Sequence, residues 1–212
     1  MLKLAFAGLL GYLIGSVSFA ILIPRFFGTA KDIRQLGSGN AGTTNVLRTQ
    51  GKKQGAAVLV CDLLKGTLAA WLGLALFGAA GEGSAAAGAA AAAGAILGHC
   101  YPLYFGFKGG KAVATGCGTL LALCPPAFLG ISAVFVIVVA FSGYVSLGSV
   151  LGACTASIWL WLFHAPAPII CYGLFGSLLI IYRHRGNIHK LINGTESKMF
   201  RKKIGAGREE KR

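Results

Sequence analysis

The sequence predicts an all-α, polytopic membrane protein with seven transmembrane helices, in which short or re-entrant loops carry the polar motifs. Of the 212 residues, 55% are hydrophobic and only 12% are charged. This composition leaves too little polar surface to cover a water-soluble globule of this size. The mean hydropathy is +0.70. Apolar stretches alternate with polar breaks, and many approach the length of about 20 residues that a helix needs to cross the hydrocarbon core.

Seven apolar segments follow one another along the chain. Pro125 and Pro126 separate the fourth from the fifth, because adjacent prolines remove backbone donors and favour a turn. A single kinked helix across these prolines is the alternative, and it would reduce the number of spans to six. The predicted spans cover residues 4–23, 55–78, 84–104, 112–124, 127–141, 147–163 and 168–182.

The distribution of positive charge favours seven spans over six. The chain has 20 lysine and arginine residues, of which six lie between Arg25 and Lys53, two are Lys108 and Lys111, and ten lie from Arg183 onward. Positive residues next to membrane helices stay on the cytoplasmic side. Seven spans place all three groups on that side, with the amino terminus outside and the carboxyl terminus inside, whereas six spans would divide them.

Composition also limits the organisation and the partners of the protein. The net charge of +14 favours anionic lipids and anionic substrates, and no motif indicates a nucleic-acid partner. Six cysteines without CxxC spacing are interpreted as packing residues rather than a disulfide framework or zinc site. We expect one transmembrane catalytic domain over 1–195 and a polar, flexible tail over 196–212. The first apolar segment could instead be a cleaved signal peptide, although it is long for one.

The most distinctive polar motif is the turn GFKGGK at 106–111, between the third and fourth predicted spans. Gly106, Gly109 and Gly110 would let backbone N–H groups converge on an anion without interference from a Cβ atom. Lys108 and Lys111 add positive charge at the same place. The motif therefore predicts a phosphate cradle, although lysines in such a loop can also serve only to fix membrane orientation.

A second motif, GSGNAGTTNVLR at 37–48, lies in the first predicted cytoplasmic loop. Ser38, Asn40 and Asn45 offer hydrogen bonds to a hydroxylated ligand, and Arg48 offers a bidentate contact to phosphate. Such a loop can re-enter a membrane bundle where protein or water surrounds it. A flexible connector is the alternative interpretation.

A third cluster follows the seventh predicted span. On a continuing helix, Arg183, His184 and Asn187 share one face, and Glu196 lies a little further along the chain. Histidine can transfer a proton near neutral pH, which makes this cluster a candidate for acid–base chemistry. A basic anchor at the end of the last span is the alternative.

Other polar residues within or beside the spans are ambiguous from sequence alone. Asp62 and Lys65 lie three residues apart on one helical face and can neutralise each other or have a function. His99 can be a structural hydrogen-bonding group or part of a site. Ser146 can line a site or cap a helix.

The polar clusters together favour a transferase for phosphorylated substrates. The sequence has no HxxxxD pair, no GxSxG elbow, no complete P-loop and no acidic cluster for magnesium, so we expect no metal, cofactor or covalent nucleophile. The alternative is a membrane transporter of a phosphorylated anion. A transporter would be expected to have ionisable groups near mid-membrane or inverted repeats, and neither is evident.

Four segments resemble the bacterial membrane acyl-phosphate:glycerol-3-phosphate acyltransferase family. They are GSGNAGTTNVLR at 37–48, DLLKG at 62–66, GHCYPLYFGFKGGKAVAT at 98–115 and YRHRGNIHKLINGTE at 182–196. They occur in the family's order, and the match spans nearly the whole chain. The resemblance implies a bacterial inner-membrane enzyme with its active site facing the cytoplasm. It would move a fatty acyl group from acyl phosphate to the 1-hydroxyl of glycerol 3-phosphate, giving lysophosphatidic acid and phosphate in phospholipid synthesis.

The resemblance also implies partners and residue roles. The partners would be glycerol 3-phosphate, acyl phosphate and membrane lipid, and we expect a monomer. Ala112 stands where the family usually has glycine, which should matter only if this position needs a positive φ. Catalytic roles are expected for Lys108, His184 and Ser146. Substrate-binding roles are expected for Ser38, Asn40, Asn45, Arg48, Gly106, Gly109, Gly110, Lys111, Arg183, Asn187 and Glu196.

Overall fold

A computed structural model describes residues 1–29, 31–77 and 82–199, apart from the side chain of Glu82. Over these residues the chain forms ten α-helices and no strand, as the sequence predicted for its fold class. Short 3₁₀ helices occur at Ile33–Gln35 and Leu103–Phe105, and a π-helical turn at Gly73–Phe77. The helices are α1 (Leu2–Gly15), α2 (Phe19–Phe26), α3 (Thr43–Gln50), α4 (Lys52–Leu72), α5 (Glu82–Cys100), α6 (Val113–Leu123), α7 (Pro125–Ser142), α8 (Val145–Leu162), α9 (Ala167–Arg183) and α10 (Arg185–Ile192).

The helices are apolar and long enough for a multi-pass membrane protein. In the described part of the chain, α9 and α10 reach the span criterion only as a pair, bent by 57°. With its 11 residues, α6 is too short to cross a core of about 30 Å by itself. The count of seven spans therefore remains a prediction. Five segments qualify individually, at Leu2–Phe26, Lys52–Phe77, Gly83–Phe105, Pro125–Ser142 and Val145–Leu162.

The proline pair ends one helix and begins the next. Between α6 and α7, Cys124 has φ −158° and ψ 82°, which is not a helical conformation. Pro125 and Pro126 occupy the first positions of α7. A backbone N–H there would have no intrahelical acceptor, so its absence in proline breaks no helical hydrogen bond. The segment is two helices and not one kinked helix.

Small residues bring the helices into close contact. A Cβ atom at Gly11 would lie 2.0 Å from the Ala91 carbonyl oxygen, and one at Gly15 would lie 2.1 Å from that of Ala95. The backbones of α1 and α5 can therefore touch, as small residues permit in membrane bundles. This contact makes the first apolar segment an integral part of the fold.

Part of the predicted tail packs on the helical domain. The Met199 N–H donates to the Gly143 carbonyl, at 2.8 Å, so residues 196–199 lie against the turn between α7 and α8. The remaining tail residues, 200–212, lie outside the described residues, as do the predicted end of the second span at Gly78 and the loop around Gly81.

Candidate active site

Polar residues from four parts of the chain meet at the end of the bundle where α9 gives way to α10. The Lys111 ammonium donates to Asn187 Oδ1. Asn187 Nδ2 donates to Glu196 Oε1 at 2.8 Å, and the Ser146 hydroxyl donates to the same oxygen at 2.9 Å. We call these four residues the Lys111 network. It joins the turn before α6, the first turn of α8, α10 and the segment after α10.

The turn at 106–111 depends on its glycines for close packing. The Gly109 N–H donates to the Cys100 carbonyl at 3.2 Å, and the Gly110 N–H donates to the His99 carbonyl at 3.1 Å. A Cβ atom on Gly110 would lie 2.2 Å from His99 Nε2 and 2.6 Å from the Ala41 carbonyl oxygen. Both amides donate to backbone carbonyls in this conformation, and the phosphate-binding role of these glycines stays a prediction.

Anion-binding capacity lies instead at the start of α6, immediately after Lys111. The N–H groups in the first turn of a helix have no intrahelical acceptor and attract anions. Ala112 precedes this turn with φ 60°, in the left-handed region, and is buried. Alanine in this conformation costs about 1 kcal/mol relative to glycine. Ala112 was expected to matter only if its φ is positive, and this condition is met.

Arg183 fixes the position of the turn. Its guanidinium donates to the Gly110 carbonyl at 2.9 and 3.1 Å and to the Gly109 carbonyl at 3.2 Å. It also lies over the Tyr101 ring, 5.2 Å from the centroid. The side chain predicted to bind substrate thus holds the backbone that precedes Lys111.

His184 is buried beside this arrangement, with 4% of its surface exposed. Its Nδ1 lies 2.8 Å from the Ile180 carbonyl, which can only accept, so Nδ1 carries the proton. Burial, and secondly the positive charge of Lys111, lower the pKa of His184 to about 4. The ring is therefore neutral at physiological pH and has a hydrogen-bond acceptor at Nε2.

Lys111 lies in a strongly positive environment. Burial lowers its pKa to about 8, although the Glu196 carboxylate acts in the opposite direction. The positive charges of Arg183, Lys190 and Arg48 contribute to the lowering. Four cations around one carboxylate make a site suited to more than one phosphate group.

Two residues of the first loop that were predicted to bind substrate, Asn45 and Arg48, have different surroundings in the structure. Asn45 is 2% exposed; its Oδ1 accepts from the Ser38 N–H at 3.0 Å, and its Nδ2 donates to the carbonyls of Leu36 and Ile33, at 2.9 and 3.1 Å. Its side chain therefore holds the loop together, and its predicted contact with substrate stays a prediction. The exposed Arg48 donates to the Ser197 carbonyl at 2.9 Å.

Other predicted residues lie apart from the Lys111 network. Over the described residues, no hydrogen bond joins the side chains of Ser38, Asn40 or Lys108 to it. Lys108 instead borders a cleft of about 580 Å³. The cleft is also lined by Asp32, Arg34, Gln35, Phe105 and Gly106.

The comparison with known proteins identifies the family. A model of the glycerol-3-phosphate acyltransferase family matches residues 5–194. The chain belongs to this family. A glycerol-3-phosphate acyltransferase from Gloeobacter violaceus is 41% identical over 188 residues, which cover 89% of this chain and 91% of the relative. The family assignment confirms that the protein is an acyltransferase and rules out the transporter alternative.

Solved structures of this acyltransferase family have the same fold. PlsY (YgiH), an integral membrane glycerol 3-phosphate acyltransferase, is 35% identical in its glycerol 3-phosphate form, with a TM-score of 0.85 over 93% of this chain and 96% of that chain. Its lysophosphatidic acid form is 34% identical, with a TM-score of 0.83 over 92% and 94% of the two chains. This acyltransferase is therefore an integral membrane protein of the same architecture.

The sequence did not reveal two residues that organise the acyltransferase site. Arg34 donates to the Phe105 carbonyl at 2.7 Å and pairs with Asp32 at 2.8 Å, which links the first loop to the second. This pairing lowers the pKa of the Asp32 carboxyl. Tyr101 supports Arg183. In the sequence, Arg34 is only one of several cations in the loop. Nothing in the sequence near Tyr101 indicates that its ring contacts Arg183.

Proposed function

We propose that this acyltransferase moves a fatty acyl group from acyl phosphate to the 1-hydroxyl of glycerol 3-phosphate. The observation that supports this reaction best is the cationic site around Lys111, with Arg48 and Arg183 near it and Asn187 in contact with it. Both proposed substrates carry a phosphate, so binding them together requires an excess of positive charge.

The two phosphates are assigned to the two sides of this site. Arg48 and the hydroxyl and amide groups of Ser38 and Asn40 would bind the glycerol phosphate. Lys111 and the first turn of α6 would bind the phosphate of the donor, with Lys108 at the approach. Glu196 would orient Asn187 and Ser146 rather than contact a phosphate, since like charges repel and its Oε1 already accepts from both.

The reaction is proposed as a direct transfer. The glycerol hydroxyl oxygen attacks the acyl carbonyl carbon, the carbon–oxygen bond to phosphate breaks, and the departing phosphate takes the bonding electrons. Positioning and electrostatic stabilisation can provide most of the catalysis, because phosphate is a good leaving group in a mixed anhydride.

The hydroxyl proton has two possible acceptors, His184 and the phosphate of the donor. A pKa of about 4 makes His184 a weak base. The departing phosphate is the stronger base, because it gains negative charge as its bond to the acyl carbon breaks. We therefore propose that His184 Nε2 accepts a hydrogen bond and orients the hydroxyl, while the departing phosphate takes the proton.

The donor assignment can be tested with purified protein in detergent or lipid. Glycerol 3-phosphate is supplied with either acyl phosphate or acyl-CoA, and lysophosphatidic acid and phosphate are quantified. We expect equal amounts of the two products with acyl phosphate and none above background with acyl-CoA. Activity with acyl-CoA alone would rule out the proposed donor.

We also propose a bacterial inner-membrane location for a monomer, with the site facing the cytoplasm. The cytoplasmic orientation follows from the positive charge near the site, since basic residues at helix ends stay inside. It also gives water-soluble glycerol 3-phosphate direct access to the site.

A further inference from the structure

Four polar side chains are buried between α4, α5 and α6, beneath the turn that holds Lys111. Asp62, Lys65, His99 and Thr115 are at most 8% exposed. Their side chains belong to none of the groups assigned to the reaction, although the backbone of Thr115 lies in the first turn of α6. Charged residues in a membrane bundle are costly, and pairing alone seldom compensates for their burial.

These side chains form a continuous chain of contacts. The Lys65 ammonium lies 2.8 Å from Asp62 Oδ1, an ion pair without the angles of a hydrogen bond, and donates to the Val17 carbonyl at 2.7 Å. His99 Nδ1 lies 3.6 Å from the same Asp62 oxygen and 3.0 Å from the Thr115 hydroxyl. Both contacts are made by Nδ1, where the Thr115 hydroxyl makes the hydrogen bond and the Asp62 carboxylate lies just beyond hydrogen-bonding distance.

His99 also contacts the turn at 106–111, which is proposed to bind substrate. His99 accepts the Gly110 N–H at its own carbonyl, and its Nε2 lies only 2.2 Å from where a Gly110 Cβ would be. Gly110 in turn accepts two hydrogen bonds from Arg183 and immediately precedes Lys111. Movement of the His99 ring would therefore displace the backbone that positions both cations.

We infer that the Asp62, Lys65, His99 and Thr115 cluster is a positioning device for the phosphate-binding turn. None of its members needs to touch substrate. Its effect is on the affinity for the phosphate substrates, through the placement of Lys111 and Arg183. This inference rests on the proposed function only in assigning Lys111 to phosphate binding.

Thr115 offers the sharpest test, because Thr119 provides a matched control one turn further along α6. Both threonines are fully buried, and both hydroxyls contact a side chain from another helix. The partner of Thr119 is Tyr172, in α9, and it has no contact with the turn among the described hydrogen bonds. Replacement by valine removes each hydroxyl while nearly conserving side-chain volume.

We expect Thr115→Val to raise the KM for one or both phosphate substrates at least fivefold, with a smaller change in kcat. Thr119→Val should leave both KM values within about twofold of the wild type. Thr115→Ser retains the hydroxyl and should restore wild-type KM values. Both valine variants should melt below the wild type, and Thr119→Val by the larger amount, because the Thr119 hydroxyl contacts Tyr172 and also donates to the Gly116 carbonyl at 2.7 Å, whereas the Thr115 hydroxyl contacts only His99 among the described hydrogen bonds.

The inference is overturned if Thr115→Val, like Thr119→Val, leaves both KM values within about twofold of the wild type. If Thr115→Val cannot be purified, Thr115→Ala takes its place with the same expectations. Failure of the proposed donor chemistry is a separate result, because it would appear as an inactive wild-type protein with acyl phosphate.

Discussion

Lys111 combines positive charge and burial with the proposed role in binding the donor phosphate. Burial lowers the pKa of Lys111 to about 8, and only the protonated amine attracts phosphate. The protonated fraction decreases as the pH rises through this value. We therefore expect kcat/KM to fall above about pH 8, because the unliganded enzyme then lacks one positive charge at the donor phosphate.

Lys111→Arg tests this assignment, since a guanidinium stays protonated far above pH 8. Phosphate release by the wild type and the variant would be followed from about pH 7 to about pH 9.5, the range in which the Lys111 amine titrates. The variant should lose its alkaline decrease, whatever its absolute activity. The same decrease in both proteins would show that another group titrates.

Lys111→Ala should lose at least tenfold in kcat/KM at neutral pH.

Two asparagines show how far single residues can be interpreted from sequence. Asn45 and Asn187 both lie in polar motifs, and both were predicted to bind substrate. The structure places Asn45 inside its own loop and Asn187 against Lys111. The sequence identified residues able to hydrogen-bond, but their partners depend on contacts that form only when distant segments fold together.

At the scale of elements, the glycine pattern drew attention to the turn before α6. It did not indicate every reason why this turn needs glycine. The motif indicated a phosphate cradle made of glycine amides. The structure adds another reason for glycine at position 110, because His99 and Ala41 leave no room for a Cβ atom there. Glycine is required both where the backbone needs conformational freedom and where there is no space for a Cβ atom. A single sequence therefore cannot distinguish these two reasons.

Gly110→Ala should therefore disrupt the turn. Its Cβ atom would overlap a carbonyl and an imidazole, and we expect at least a tenfold loss of kcat/KM, since small displacements of binding groups are costly. Gly186→Ala is the control, because a Cβ atom there meets nothing within 4 Å and alanine favours the helix α10. Steady-state kinetics and thermal melting in detergent would be measured for both. Wild-type kinetics for Gly110→Ala would contradict the close contact.

For the molecule as a whole, composition alone was enough to predict an all-helical membrane protein. Hydrophobicity is a sum over many residues, so no single contact can change the class. The number of spans is harder to predict, because α6 has 11 residues and α9 meets the length and hydropathy criterion for a span only together with α10. Where α6 ends depends on Cys124 and the prolines, and how deep it lies depends on its packing against α4.

The distribution of charge predicts the orientation in the membrane, and a measurement of that orientation distinguishes seven spans from six. Arg48, Lys111 and Arg183 lie near one another, so their end of the bundle should be cytoplasmic. An odd number of spans puts the two termini on opposite sides, whereas an even number puts them on the same side.

Reporter fusions can measure this directly. A fluorescent protein fused to the carboxyl terminus should fluoresce, as it does in the cytoplasm, and alkaline phosphatase at that position should be inactive. An amino-terminal epitope should be accessible from outside in cells with a permeabilised outer membrane. Alkaline phosphatase fused at Ala165, between α8 and α9, is the control and should be active. Detection of both termini on the cytoplasmic side would rule out seven spans, because only an even number of crossings returns the chain to the side where it began.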